Sequence, residues 1–422
     1  MALVLFALLS AVQFRTARAI DCLNVDTTSG PVQGFVNKTT LHVAQFLGIP
    51  FTEPPIESRR WLPPSPKAKQ NTTIDATRFG LACPHYRLGI LGFPNAAGIK
   101  LTEQNLGLLD QRLGVEWVRD NIANFGGNPE RISLWGQSAG AMSADYYNFA
   151  YLEDPIVAGF IMHSGSALTP FANLDTAQTN FSFVAQHFNC SGDQNFEIHC
   201  LRKVEAASLM AFLKNYSESA TQPELAFIPI VDNRTVFSNY TARARAGKLS
   251  RKPALIGTTK NEGAPLVLPY NQTFGPDPAQ ADAITKSLIL CPTVWTTRDR
   301  YAANAITFRY MYAGNFSNIS PQWWEAAYHS SDLPLVFGTY GLARGAGTEF
   351  EKQVSEQMQD YWLAFAEDPV RGLPKLGWHG YEGVMGEAML IGEGDKVMQP
   401  IAESMIESLC NDTLPGGMNH HM

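Results

Sequence analysis

The sequence predicts an α/β fold, a mostly parallel central sheet with helices on both faces, and three observations carry that prediction. Short apolar runs of strand length alternate with stretches at helical spacing, as crossover-connected parallel strands require. A glycine-flanked turn, Gly136-Gln137-Ser138-Ala139-Gly140, stands between one such run and a small-residue stretch that can open a helix. With 422 residues the chain can also bury a large core, as one α/β domain or two smaller ones.

In chain order, Ala2 to Val12 form an apolar run, and Ala17-Arg18-Ala19 has the small-x-small form that signal peptidase accepts. Residues 1–19 therefore read as a secretory signal peptide, although the run lacks a basic flank; the alternative is a buried N-terminal helix. The run is too short to span a bilayer unaided. Residues 20–422 contain no low-complexity linker, charge block or internal repeat, and read as a single domain. Leu106, Leu109, Leu113, Trp117, Val118 and Ile122 recur at helical spacing up to Gly126-Gly127. Ile132 to Trp135 then reads as a strand, Ser138 as the turn, and Ala139 to Ala144 as the start of a helix. Gly159-Phe-Ile-Met162 and Pro253-Ala-Leu-Ile-Gly257 read as buried parallel strands.

Composition narrows the function. Hydrophobic residues are 45% of the chain and charged residues only 17%, below the roughly 25% usual for soluble proteins. The net charge of -7, with no long basic run, argues against nucleic acid or an anionic membrane as partner. Eleven Asn-x-Ser/Thr triplets, headed by Asn37, Asn71, Asn180, Asn189, Asn215, Asn233, Asn239, Asn271, Asn315, Asn318 and Asn411, fit a secreted glycoprotein. The six cysteines would then meet an oxidising compartment. Cys190 and Cys200 bracket a short polar loop and are expected to pair. No cysteine or histidine spacing suggests zinc or another metal, and no cofactor is implied.

Ser138 is the candidate nucleophile, because a sharp strand-to-helix turn exposes its hydroxyl. A side chain at either flank, Gly136 or Gly140, would be expected to collide with the neighbouring strand or helix. A serine at neutral pH needs a base to take its proton and a buried carboxylate to hold that base. If the chain order is serine, acid, histidine, the bases available are His329, His379, His420 and His421. His420 and His421 sit in a polar tail, and His379 reads as a surface-loop residue. His329 lies in a polar turn leading into an apolar run. Glu262, one short loop beyond the strand ending near Gly257, can serve as the acid; from spacing alone an exposed loop glutamate is an equal reading. His42, His85, His163, His187 and His199 precede any suitable acid, and most read as structural.

Taken together these residues resemble the type B carboxylesterases, the family of cholinesterases and some fungal lipases, in a pattern nearest the secreted fungal members. Phe46-Leu-Gly-Ile-Pro-Phe-Thr-Glu-Pro-Pro55 with Arg60-Trp61 is similar to the family's F-x-G-I-P-Y-A-x-P-P and R-F. Asn105 to Gln111, Trp117 to Ile122, Phe125-Gly-Gly-Asn-Pro129 and Gly136 to Gly140 follow its signature almost unbroken. His163-Ser-Gly-Ser166 resembles Q-S-G-S, Asn261-Glu262-Gly263 resembles D-E-G, and His329 with Asp332 resembles H-G-x-E. The resemblance implies an α/β-hydrolase fold with Ser138 as nucleophile, His329 as base, Glu262 as acid and the Ala139 N–H as an oxyanion donor. It also implies disulfides joining Cys190 to Cys200 and Cys291 to Cys410. The substrate implied is a small-molecule or lipid ester.

One departure is large. Between the cysteine matched by Cys83 and the N-Y-R-L matched by Tyr86-Arg87-Leu88, the family carries a long block with E-D-C-L-x-L-N and H-G-G-G; here only Pro84 and His85 intervene. That block supplies central strands and further oxyanion donors, so some N-terminal central strands should be missing and a sheet edge left unpaired. Cys83 loses its family partner and is either free or joined to Cys22. Three functions follow: a secreted serine esterase, a catalytically impaired truncated form of one, or a cholinesterase-like adhesion module. Adhesion modules generally lose the nucleophile, so Ser138, Glu262 and His329 count against the last.

Overall fold

A computed structural model describes residues 23–39, 41–77, 86–170, 175–219, 222–268, 270–342 and 344–411. The expected signal peptide, Cys22, Cys83, His85, His420 and His421 lie outside the described residues. The chain divides into two compact units, Met1–Pro129 with Ala172–Val236, and Glu130–Phe171 with Phe237–Met422.

In the first unit, β1 (Asn24–Thr27) and β2 (Gly30–Gln33) pair antiparallel, and β2 pairs parallel with β5 (Ile74–Asp75). β3 (Phe35–Val36) and β4 (Ala44–Gln45) form a separate two-stranded pair. The leucine periodicity gives the helix Leu106–Asn121, which buries Leu106, Leu108, Leu109 and Val115. A 3-10 turn follows and stops at Gly126, whose φ of 82° a side chain would resist. Leu106 and Leu109 join a core with Trp61, Phe181, Ile198, Leu201 and Cys190, whose disulfide partner Cys200 packs against it. Closing so short a loop is worth roughly 3 kcal/mol in the chain-entropy view.

The second unit holds the predicted parallel sheet. Its strands are β6 (Ser133–Gln137), β7 (Gly159–His163), β8 (Ala254–Thr259), β9 (Thr307–Tyr312), β10 (Glu387–Glu393) and β11 (Lys396–Ala402), in the spatial order β11-β10-β9-β8-β7-β6. All neighbours run parallel except β10 and β11. The alternation along β9 shows how helices cover both faces. Phe308, Tyr310 and Tyr312 pack with Met358, Trp362 and Phe365 of the helix Glu349–Glu367, while Met311 packs with Cys291, Val294 and Ile406 from helices on the other face. The Cys291–Cys410 bridge lies in that second cluster.

β7, β8 and β9 are buried along their whole length, but every residue of β6 is only half-buried. Among the described residues β6 pairs with β7 alone, so the strand leading to Ser138 is the sheet edge. This is the unpaired edge expected where central strands are absent. Of the sequons, Asn180 and Asn318 are buried, and the Asn318 amide donates to the Tyr340 carbonyl at 3.0 Å. Neither can carry a glycan in this conformation; the other nine asparagines are exposed.

Candidate active site

All three candidate catalytic residues lie in the second unit, at or just beyond the carboxyl ends of its strands. Ser138 follows β6 directly and precedes the helix Ala139–Ala150, with φ 55° and ψ -120°, a sparsely populated conformation for a residue with a side chain. Its N–H donates to the His163 carbonyl at 2.9 Å, and its carbonyl accepts the Met142 N–H at 3.0 Å. A Cβ on Gly136 would sit 2.1 Å from the Gly140 carbonyl oxygen, and one on Gly165 would sit 2.6 Å from the Ser138 oxygen. Both glycines are needed for the turn to close. The expected collision fails at Gly140, where a Cβ would meet nothing within 4 Å. Gly140 sits half-buried at the opening of the helix beside the exposed Ala139, with its backbone against Gly136 but its Cβ direction open.

Glu262 is fully buried beyond the end of β8. Its Oε1 accepts the Thr259 N–H at 2.6 Å and the Ser164 hydroxyl at 2.6 Å, and its Oε2 lies 2.6 Å from His329 Nδ1. Of the two sequence readings of Glu262, the exposed loop residue is excluded. The two loops are held together by Asn261, whose N–H donates to Ala327 at 2.9 Å and whose amide donates to the Trp324 and Glu325 carbonyls at 3.0 and 2.9 Å. The aspartate that the family pattern has there could not make the last two bonds.

The Glu262 carboxylate fixes the tautomer of His329, which donates from Nδ1 and leaves the lone pair on Nε2. That nitrogen lies 3.0 Å from the amide nitrogen of Gln137, the residue before Ser138. The structure thus joins Glu262 to His329 and brings His329 over the turn; among the described residues no hydrogen bond links His329 to the Ser138 hydroxyl. Burial alone would lower the His329 pKa, but the hydrogen bond and charge of Glu262, with the charge of Asp332, outweigh it and hold the pKa above its ordinary value. Ala139 is the first residue of its helix, so its N–H has no partner within the helix and points with the positive end of the dipole. His379, His42 and His199 are exposed, as surface histidines.

Sequence reasoning left His163 and Asp332 unconnected, yet both are fully buried and in contact. His163 Nδ1 lies 2.6 Å from Asp332 Oδ2, the Tyr310 hydroxyl donates to the same oxygen at 3.0 Å, and the Trp362 indole N–H donates to His163 Nε2 at 3.0 Å. Burial opposes charge on Asp332, but His163 and Tyr310 together hold its pKa below the ordinary carboxylate value. The available signal was that both positions depart from the family pattern.

A family model described as the carboxylesterase family matches residues 21–85, 84–279 and 275–403. Chlorogenic acid esterase from Aspergillus niger is 37% identical over 489 residues, covering 92% of this chain and 94% of that protein. Secreted lipase 5 of Gibberella zeae is 43% identical over 345 residues, covering 77% of this chain and 64% of that protein. Acetylcholinesterase from Bungarus fasciatus is 22% identical over 528 residues. The first break in the family match falls at Pro84-His85, the junction where the block is missing. An alignment of 489 residues is also longer than the whole 422-residue chain, so the Aspergillus protein has residues in that span with no counterpart here.

Proposed function

The chain belongs to the carboxylesterase family, whose chemistry is carboxylic ester hydrolysis, and from that premise we propose that it is a secreted serine esterase working through Ser138, His329 and Glu262. The carrying observation is the Glu262–His329 contact of 2.6 Å, which leaves a basic Nε2 facing the residue beside Ser138. In the first half-reaction the Ser138 oxygen attacks the ester carbonyl carbon while its proton passes to His329 Nε2. The resulting imidazolium, stabilised by Glu262, returns that proton to the leaving alkoxide as the acyl-enzyme forms. In the second half-reaction water replaces the alcohol, and the acid leaves. The Ala139 N–H supports the developing oxyanion.

The names of the relatives, an esterase of chlorogenic acid and a secreted lipase, support a small-molecule or lipid ester as substrate and an extracellular setting. Among the described residues no helix is long and apolar enough to cross a membrane. A second reading, an impaired truncated form, is favoured by the break at Pro84-His85 and by the edge position of β6. Losing one oxyanion donor costs about 10²- to 10³-fold in kcat.

Purified protein treated with a fluorophosphonate probe and with a p-nitrophenyl ester separates these readings. The esterase is expected to label and to turn over, with both signals gone in Ser138→Ala. Labelling with negligible turnover supports the impaired form, and absence of both from folded protein overturns the serine-esterase reading.

A further inference from the structure

The residue pair His163-Ser164, at the end of β7, touches two members of the proposed triad and the turn that carries the third. The His163 carbonyl accepts the Ser138 N–H at 2.9 Å, the Ser164 hydroxyl donates to Glu262 at 2.6 Å, and the His163 ring meets Asp332, three residues beyond His329. The ring is gripped from every side. Trp135 of β6 stacks on it with centroids 5.5 Å apart and planes 14° from parallel, Tyr310 of β9 reaches Nδ1 at 2.7 Å, and Trp362 donates to Nε2. That last bond makes Nε2 an acceptor and leaves Nδ1 to donate to Asp332.

The family pattern has glutamine where His163 stands and glutamate where Asp332 stands. The two departures are in direct contact and both shorten the reach, because Nδ1 lies nearer the backbone than a glutamine amide nitrogen and aspartate is one methylene shorter than glutamate. We propose that His163 and Asp332 act as a matched pair of positioning residues, a buried second dyad that sets where the His329 turn sits relative to Ser138. This rests on the proposed Ser138–His329–Glu262 chemistry for its kinetic consequences, but the geometric coupling stands apart from it. Neither residue touches substrate. Their effect is on the placement of Nε2, where a shift of about 1 Å is enough to cost about 10²-fold in rate.

The test is a double-variant cycle with His163→Gln, Asp332→Glu and the two together, plus Tyr310→Phe, which removes one hydroxyl and retains the packing. Three readouts are taken: thermal midpoint, rate of fluorophosphonate labelling, and the low-field proton NMR signal of His329 Nδ1–H, identified by its loss in Glu262→Gln. Each single replacement is expected to slow labelling by about 10²-fold and to shift or broaden the NMR signal, while the double replacement recovers both to within a fewfold of the original. Tyr310→Phe is expected to move the signal in the same direction with the fold intact. Additive losses in the double variant, or lowered thermal midpoints with the signal and labelling rate unchanged, would overturn the pairing. If the unmodified protein fails to label, the esterase reading falls, and the NMR signal alone decides the dyad.

Discussion

The two halves of the proposed site differ in how the protein encloses them. The acid–base half lies beyond buried strands: Glu262 is fully buried, each of its oxygens has a partner, and Asn261 ties its loop to that of His329. The nucleophile half hangs on the edge strand β6, half-buried throughout, and opens on the exposed Ala139. Proton transfer and charge stabilisation are separate demands on a serine esterase; in the proposed site the base has its carboxylate partner, while among the described residues the Ala139 N–H is the candidate oxyanion donor.

The nucleophile half can be completed. Reinstating an in-frame segment with the H-G-G-G loop between Cys83 and Tyr86 should raise ester turnover by about 10²- to 10³-fold for each donor regained, roughly 10⁴-fold or more for two. Steady-state hydrolysis of a p-nitrophenyl ester measures it. An unchanged kcat in folded protein would mean that the edge strand does not limit the chemistry.

The richer half is tested by Glu262→Gln. Removing the carboxylate should slow labelling of Ser138 by about 10⁴-fold, the scale set by loss of the correct histidine tautomer. The pH dependence has a definite sign. His329 works as a base only when neutral, and its pKa stands above the ordinary value because Glu262 and Asp332 outweigh burial. The acid limb of kcat/KM should therefore lie above about pH 6.5 in the unmodified protein. Without the Glu262 charge burial gains weight, and the limb should move to lower pH; a move to higher pH would contradict the assignment.

A smaller effect separates the two glycines of the turn. Gly136→Ala places a carbon 2.1 Å from a backbone oxygen and should lower stability by about 1–3 kcal/mol or more, the usual scale of overpacking. Gly140→Ala meets open space and should stay within about 0.5 kcal/mol. Thermal melts of the pair decide it. Equal losses would mean that the helix opening is more crowded than its half-buried state implies.

How much of this was legible in the sequence follows the same division. Strand, turn and helix around Ser138 could be read directly, because glycine spacing and apolar runs are local signals, and the observed β6 and Ala139–Ala150 helix fall within a few residues of them. The acid and base needed the resemblance, since Glu262 and His329 are 67 residues apart and only the fold brings them together. The contact of His163 with Asp332 was hidden because each residue alone reads as an imperfect match and only the fold brings the two together. The burial of Asn180 and Asn318 was equally hidden, a sequon being a pattern of three residues that is blind to tertiary packing.

Both halves carry backbone strain on a serine. Ser138 has φ 55° and Ser330, next to His329, has φ 73°, both in the range that favours glycine. At Ser138 the strain cannot be relieved without discarding the hydroxyl. Ser330 stands where the family pattern has the glycine of H-G-x-E, and its own hydroxyl donates to the His329 carbonyl, a local bond that partly offsets the cost of the conformation. Ser330→Gly removes about 1–2 kcal/mol of backbone strain, loses that bond, and loosens the unfolded chain by about 0.4–1 kcal/mol, so the thermal midpoint should stay level or rise slightly. Ser330→Val keeps the strain, adds a branched side chain and loses the bond, and its midpoint should fall by several degrees, about 1–3 kcal/mol. If glycine destabilised as much as valine, the hydroxyl rather than the backbone would be what holds the histidine turn, and the two halves of the site would differ in the origin of their strain as well as in their enclosure.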